Sequence, residues 1–128
     1  MVSLETTFLV DLRRGDPAAV AKARELEAAG ETKCVTPPVA AELFLGAYRF
    51  GTEHVVRTQS LLASLVWLDM DREACEEAGR MGAELLARGE AIGAADLFIA
   101  ATSKRHGHRL LTRDRAFPRV PGLTVEAY

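Results

Sequence analysis

Cysteine is nearly missing: Cys34 and Cys75 are the only two in 128 residues. That is too few for a disulfide framework, and their separation is not metal-ligand spacing, so zinc held by thiolates is excluded and two reduced thiols in the core of a cytoplasmic protein are expected. Long apolar runs are missing too. The longest, such as LFIAA at 97–101, fall far short of the ~20 residues that a membrane-spanning helix needs. The opening MVSLETTFLVDLRRG meets an acid at Glu5 and shows no export signal, which predicts a soluble chain with no membrane partner. No G-x-G-x-x-G or G-x-x-x-x-G-K-[ST] motif occurs, so a nucleotide or flavin binder is a poor reading. An excess of positive charge is also lacking. Sixteen basic against eighteen acidic residues give a net charge of -2, which argues against nonspecific nucleic-acid binding through a uniformly basic surface. His54, His106 and His108 lie in polar stretches without an attendant nucleophile and read as surface residues.

What is present is ordinary globular usage, 48% hydrophobic and 27% charged, at the length of one domain covering 1–128. The charge is unevenly spread. Residues 104–119 carry six Lys or Arg against one acid, whereas 69–90 carry seven acids against three Arg, so the first of these runs could face phosphates.

The pattern along the chain alternates short strands with helices. A strand is expected to about Leu4, then a turn, then a short helix ending near Gly15. Asp16 and Pro17 are an N-cap and first helical position for a helix running to Gly30. KCVT at 33–36 reads as a strand. Pro37 and Pro38 open a helix so apolar all round that it should be buried on two sides. A further helix over 53–65 leads to a strand in VWLDM, with Trp67 in the core. Asp71 then starts a helix whose Ala74, Ala78, Met81 and Leu85 share one stripe. A buried helix from Asp96 to Gly107, a strand in RLLT and a last strand in LTVEAY complete the order. This is the pattern of a three-layer α/β/α domain around a mostly parallel sheet of four or five strands.

Four acids interrupt apolar sequence, where a carboxylate is hard to explain otherwise: Glu5, Glu42, Asp96 and Asp114. Glu5 and Asp114 follow strands, and Glu42 and Asp96 lie in the first turns of helices, so all four can meet at the carboxyl edge of a parallel sheet. Read singly, each has another explanation. Asp96 and Asp114 could cap helices, Glu42 could pair with Arg49 or Arg13, and Glu5 could be a solvated turn residue. Read jointly, four carboxylates at one spot repel, and a hard divalent cation, Mg²⁺ or Mn²⁺, is the natural counter-ion. Such a cluster suits phosphodiester hydrolysis. Thr6, Thr7 and Thr112 add hydroxyls beside the acids. Asp11, two turns into its helix, is expected at the surface.

The segments LETTFLVDLRRG at 4–15, AELFLGA at 41–47, IGAADLFIAAT at 92–102, HGHRLLTRD at 106–114 and FPRVPGLTVE at 117–126 together resemble PIN-domain proteins. The likeness is specifically to the VapC-type toxins of bacterial and archaeal toxin–antitoxin pairs, and it covers essentially the whole chain. It implies Mg²⁺- or Mn²⁺-dependent cleavage of RNA, with ligand roles for Glu42, Asp96 and Asp114. It departs at Glu5, where the family's opening motif has Asp. The resemblance also implies a cognate antitoxin and a homodimer, for which the apolar helices around 39–50 and 55–66 are candidate surfaces. Arg13, Arg14, Arg113 and Arg115 are the candidate RNA contacts. The alternative is a catalytically attenuated or inactive PIN-like module that binds RNA or protein.

Overall fold

The computed structural model describes residues 1–128 and contains five strands and six α-helices. The strands β1 (Val2–Leu4), β2 (Lys33–Val35), β3 (Val66–Trp67), β4 (Arg109–Leu111) and β5 (Val125–Glu126) form one sheet in the order β3-β2-β1-β4-β5. Every pairing is parallel: Ser3 lies opposite both Cys34 and Leu110, Val35 opposite Trp67, and Leu110 opposite Val125. Such short strands persist because β1 and β4 are buried along nearly their whole length among apolar side chains.

Helices α1 (Thr6–Arg13), α2 (Pro17–Ala28), α3 (Pro37–Phe50), α4 (Thr52–Ala63), α5 (Arg72–Ala87) and α6 (Ala94–Arg105) make the connections. Chain order runs one way from β1 through β2 to β3, then returns past them to β4. Right-handed crossovers therefore carry the first two connections over one face and the third over the other. The direction of winding reverses between β1 and β4, and at that crevice a doubly wound sheet places its site. The core is one apolar cluster of 22 buried residues, with Phe8, Leu9, Ile99, Leu110 and Phe117 among its largest members.

Local signals account for most boundaries. The Asp16 carboxylate accepts from the Ala19 amide at 3.0 Å with Pro17 in the first turn, and Asp71 accepts from Ala74 at 2.9 Å. The stripe Ala74, Ala78, Met81 and Leu85 is buried as its spacing requires.

Five expectations are corrected. Helix α3 buries only Val39, Ala40, Leu43 and Ala47, leaving Leu45 65% and Tyr48 70% exposed, so it is covered on one side rather than two. The strand expected over 66–70 ends at Trp67. That indole is half exposed rather than in the core, because β3 is an edge strand and its Nε1 donates to the Leu62 carbonyl at 3.1 Å. Cys34 is in the core but Cys75 is exposed, being one residue off the buried stripe of α5. His108 is not a surface residue: it lies buried at the entry to β4 with Nδ1 3.3 Å from the Ser3 hydroxyl, and burial pushes its pKa down.

Candidate active site

The carboxyl ends of β1 and β4 meet where the Glu5 amide donates to the Leu111 carbonyl at 3.1 Å. Glu5 is the N-cap of α1 and almost wholly buried. One of its oxygens, Oε2, accepts from the Thr7 amide at 2.9 Å, the Thr7 hydroxyl at 2.6 Å and the Thr112 hydroxyl at 2.8 Å. Glu5 is thus not a solvated turn residue. Three neutral donors hold its charge, while Oε1 takes none.

Glu42 reaches the same crevice from the second turn of α3, its Oε1 accepting from the Thr6 hydroxyl at 3.1 Å. It pairs with neither Arg49 nor Arg13. Asp96 lies in the first turn of α6, whose N-cap is Gly93, and no side chain caps that helix, so the capping explanation for Asp96 fails. Asp114 follows β4. Its Oδ1 accepts from the Ala116 amide at 2.9 Å and closes a turn, but the short helical turn Phe117–Arg119 has Ala116 as its N-cap and no side-chain cap, so the capping explanation fails for Asp114 too, and one of its oxygens stays free.

These four acids sense one another. Loss of hydration pushes the Glu42 carboxyl above the usual range; the Thr6 hydroxyl opposes this, and the charges of Glu5, Asp96 and Asp114 add to it. Desolvation likewise raises Asp96, helped by the charges of Asp114 and Glu5. None of the four makes an ion pair, although charged partners bind most other acids: Glu31 and Glu126 hold Arg109, and Glu77 holds Lys104.

The donor set is all oxygen, which excludes soft-metal chemistry and suits Mg²⁺ or Mn²⁺. No three of these side chains close into a ready ligand shell. Each of Glu5, Glu42 and Asp114 retains one oxygen without a protein donor, and Asp96 retains both.

The basic candidates divide. Arg13 and Arg14 lie at the far end of α1, away from the acids. Arg113 is joined to Asp11 through Nε at 2.7 Å and Nη2 at 3.0 Å, and Arg115 is exposed beside Asp114. The basic run 104–119 is therefore no continuous phosphate-facing surface: Lys104 binds Glu77, Arg105 lies 3.7 Å from Asp71, and Arg109 binds Glu31 and Glu126.

Asp11 and Tyr128 were not legible as neighbours of this site. Asp11 is buried rather than at the surface, and accepts from the Tyr128 hydroxyl at 2.6 Å as well as from Arg113. Its position, four residues after Thr7 on one helix face, is the signal that could have located it. The Tyr128 ring meets Phe8 edge-on at 5.0 Å. Burial, and then the hydrogen bond to Asp11, push the Tyr128 phenol up to about 12 from 10.0. A phenol raised in the fold stabilises below its ordinary pKa and loses that contribution as pH climbs through the folded value. Thermal stability is accordingly expected to fall between about pH 10 and about 12, and Tyr128→Phe should remove that component of the fall. Melting curves of both proteins across this range check it.

A parallel α/β domain that collects unpaired carboxylates at its switch point is the class these features define. The family model described as PIN domain matches residues 2–123, and the chain belongs to the PIN-domain family. It is 29% identical over 124 residues to Ribonuclease VapC19 of Mycobacterium tuberculosis, covering 96% of this chain and 97% of the relative. Among solved structures, VapBC2 from Rickettsia felis bound to a DNA fragment from its promoter matches at 25% identity and a TM-score of 0.84, covering 100% of this chain and 99% of that one. VapBC-1 from nontypeable Haemophilus influenzae matches in fold, with a TM-score of 0.87 at 21% identity over 99% and 98% of the two chains.

Proposed function

We propose that this protein is a divalent-metal-dependent endoribonuclease, the toxin of a toxin–antitoxin pair, which hydrolyses RNA phosphodiester bonds at Glu5, Glu42, Asp96 and Asp114. The observation that carries this reading is the set of four mutually repelling carboxylates without a single protein cation among them. A Mg²⁺ or Mn²⁺ ion held there would neutralise the scissile phosphate and acidify an attacking water. Asp96, Asp114 and Glu5 would hold the ion from the β1/β4 crevice and Glu42 from the α3 side. Thr6 would fix the Glu42 carboxylate, and Thr7 and Thr112 would fix that of Glu5. The likeness to Ribonuclease VapC19 supports the substrate class.

The VapBC neighbours support an antitoxin partner. A groove of about 160 Å³ walled by Phe8, Leu12, Ala23, Leu26, Leu61 and Leu65 offers that partner an apolar seat between α1, α2 and α4. Exposed Leu45, Tyr48 and Val56 supply a face for a second copy, and a monomeric mass in light scattering would count against it. One observation favours the alternative of an attenuated or silent module: every protein hydrogen bond to Glu5 serves the local fold.

The test is cleavage of a labelled structured RNA with Mg²⁺ or Mn²⁺, with and without chelator. Cleavage with metal, none in chelator, and a melting temperature raised by either ion near neutral pH are the expected results. Binding of RNA with no turnover under any metal would leave the silent module.

A further inference from the structure

Internal ion pairs hold four of the six cations in the run 104–119 and leave only Arg115 and Arg119 there for phosphate, so further phosphate grip is to be sought elsewhere on the surface. A cleft of about 240 Å³ lies at the opposite end of α1 from Glu5. It is lined by Arg13, Arg14, Phe50, His54 and Arg57 and by no acid. It exists because α1 ends where the sharp turn at Gly51 (φ 117°) brings the last residue of α3 against the first turns of α4. Arg13 and Arg14 are exposed and make no ion pair, and Arg57 is bound only to the equally exposed Glu53, at 2.6 Å. Exposed pairs of this type exchange readily for a phosphate.

Phe50 is 69% exposed at this cleft, and its ring leans on His54 with centroids 5.4 Å apart. Two residues beyond Tyr48 is about 200° around the helix, so Phe50 turns away from the apolar face that Tyr48 shares with Val56. A bare aromatic ring beside unpaired guanidinium groups is the pairing that holds single-stranded nucleic acid, the ring stacking a base and the forks gripping phosphates. Eight residues of helix, about 12 Å, separate Glu5 from Arg13, a span that a few nucleotides of extended strand would bridge.

We propose that Arg13, Arg14 and Arg57 with Phe50 form a second RNA-binding site, which takes the phosphate backbone and one base of a single strand whose scissile bond lies at the acids. This rests on the ribonuclease reading. It assigns affinity to this cleft, while cleavage stays with the carboxylates.

The experiment is fluorescence anisotropy of a short labelled single-stranded RNA in chelator, where no cleavage occurs, over a range of salt. Arg13→Gln/Arg14→Gln is expected to weaken binding at least about tenfold and to flatten the slope of log affinity against log salt by about 1 to 1.4, as two lost phosphate contacts require. Phe50→Ala is expected to weaken binding at least about fivefold with the slope unchanged. All these side chains are exposed, and unchanged melting curves exclude misfolding. Wild-type affinity and slope in either variant overturn the proposal. So does unaltered RNA binding alongside lost affinity for an acidic peptide, which would make the cleft a protein seat. The ribonuclease reading fails separately, by absence of metal-dependent cleavage in the wild-type protein.

Discussion

Asp96→Asn is expected to reduce metal-dependent RNA cleavage by about a hundredfold or more while leaving the metal-free protein more stable than wild type. The loss follows from the position of this side chain. It is the one acid of the four with both oxygens free of protein donors, and it stands in the first turn of α6 with no capping duty. An amide there keeps the size and one acceptor but not the charge, which weakens any hard cation bound at the crevice. The gain follows from electrostatics. Desolvation and the charges of Asp114 and Glu5 raise the Asp96 carboxyl, so its contribution to stability is fully present only below its ordinary pKa and is lost as pH rises through the folded value. Near neutral pH the ionised group opposes the fold, and Asn does not. Metal-free melting temperatures should therefore differ by a few degrees in favour of the variant near neutrality and converge in acid. An active variant would remove Asp96 from the reaction, and a variant that melts below wild type would show that the carboxylate serves packing.

Topology and long-range contacts explain why part of this site is legible in the sequence and part is not. Acids that interrupt apolar runs beside strand ends were readable because parallel topology sends those ends to one edge. Read singly, Asp96 and Asp114 are better explained in the sequence as caps; in the structure neither caps a helix, Gly93 and Ala116 holding the cap positions while Asp114 gives one oxygen to a turn. The partners of Arg105, Arg109 and Arg113 come from distant segments, so sequence could count these cations but not learn that Asp71, Glu31, Glu126 and Asp11 neutralise them. The burial of Asp11 is illegible in the sequence for a related reason: its partner Tyr128 lies 117 residues away. Periodicity located the buried stripe of α5, which is a local property, and failed for α3 and Trp67, where exposure depends on which neighbours the sheet order supplies. An apolar helix with one face bare is a finding about partners that composition does not distinguish from a helix buried all round.

Glu5 is the residue at which fold and chemistry compete, and two substitutions separate them. Glu5→Ala removes the cap of α1 and leaves the Thr7 and Thr112 hydroxyls without their carboxylate, although these lie 3.3 Å apart and can bond to each other. A helix cap is worth about 0.5–2 kcal/mol and a buried group left unpaired costs about 1–3 kcal/mol, so a destabilisation of about 2–4 kcal/mol is expected, measured by denaturant titration. Glu5→Asp keeps the charge and supplies a better capping side chain, shorter by one methylene. In the present geometry Oε2 takes three donors, two from Thr7 and one from Thr112, and only Oε1 is left for an ion. A carboxylate drawn back to the strand end changes its reach by about one bond length, a displacement to which such chemistry is sensitive, with ~1 Å worth up to ~100-fold. Glu5→Asp is expected to raise the metal-dependent turnover rate about tenfold with stability held within about 1 kcal/mol of wild type. Unchanged or slower turnover would instead make Glu5 a fully adapted ligand, its rotamer compensating for its length, and would end the idea that this chain is an attenuated nuclease.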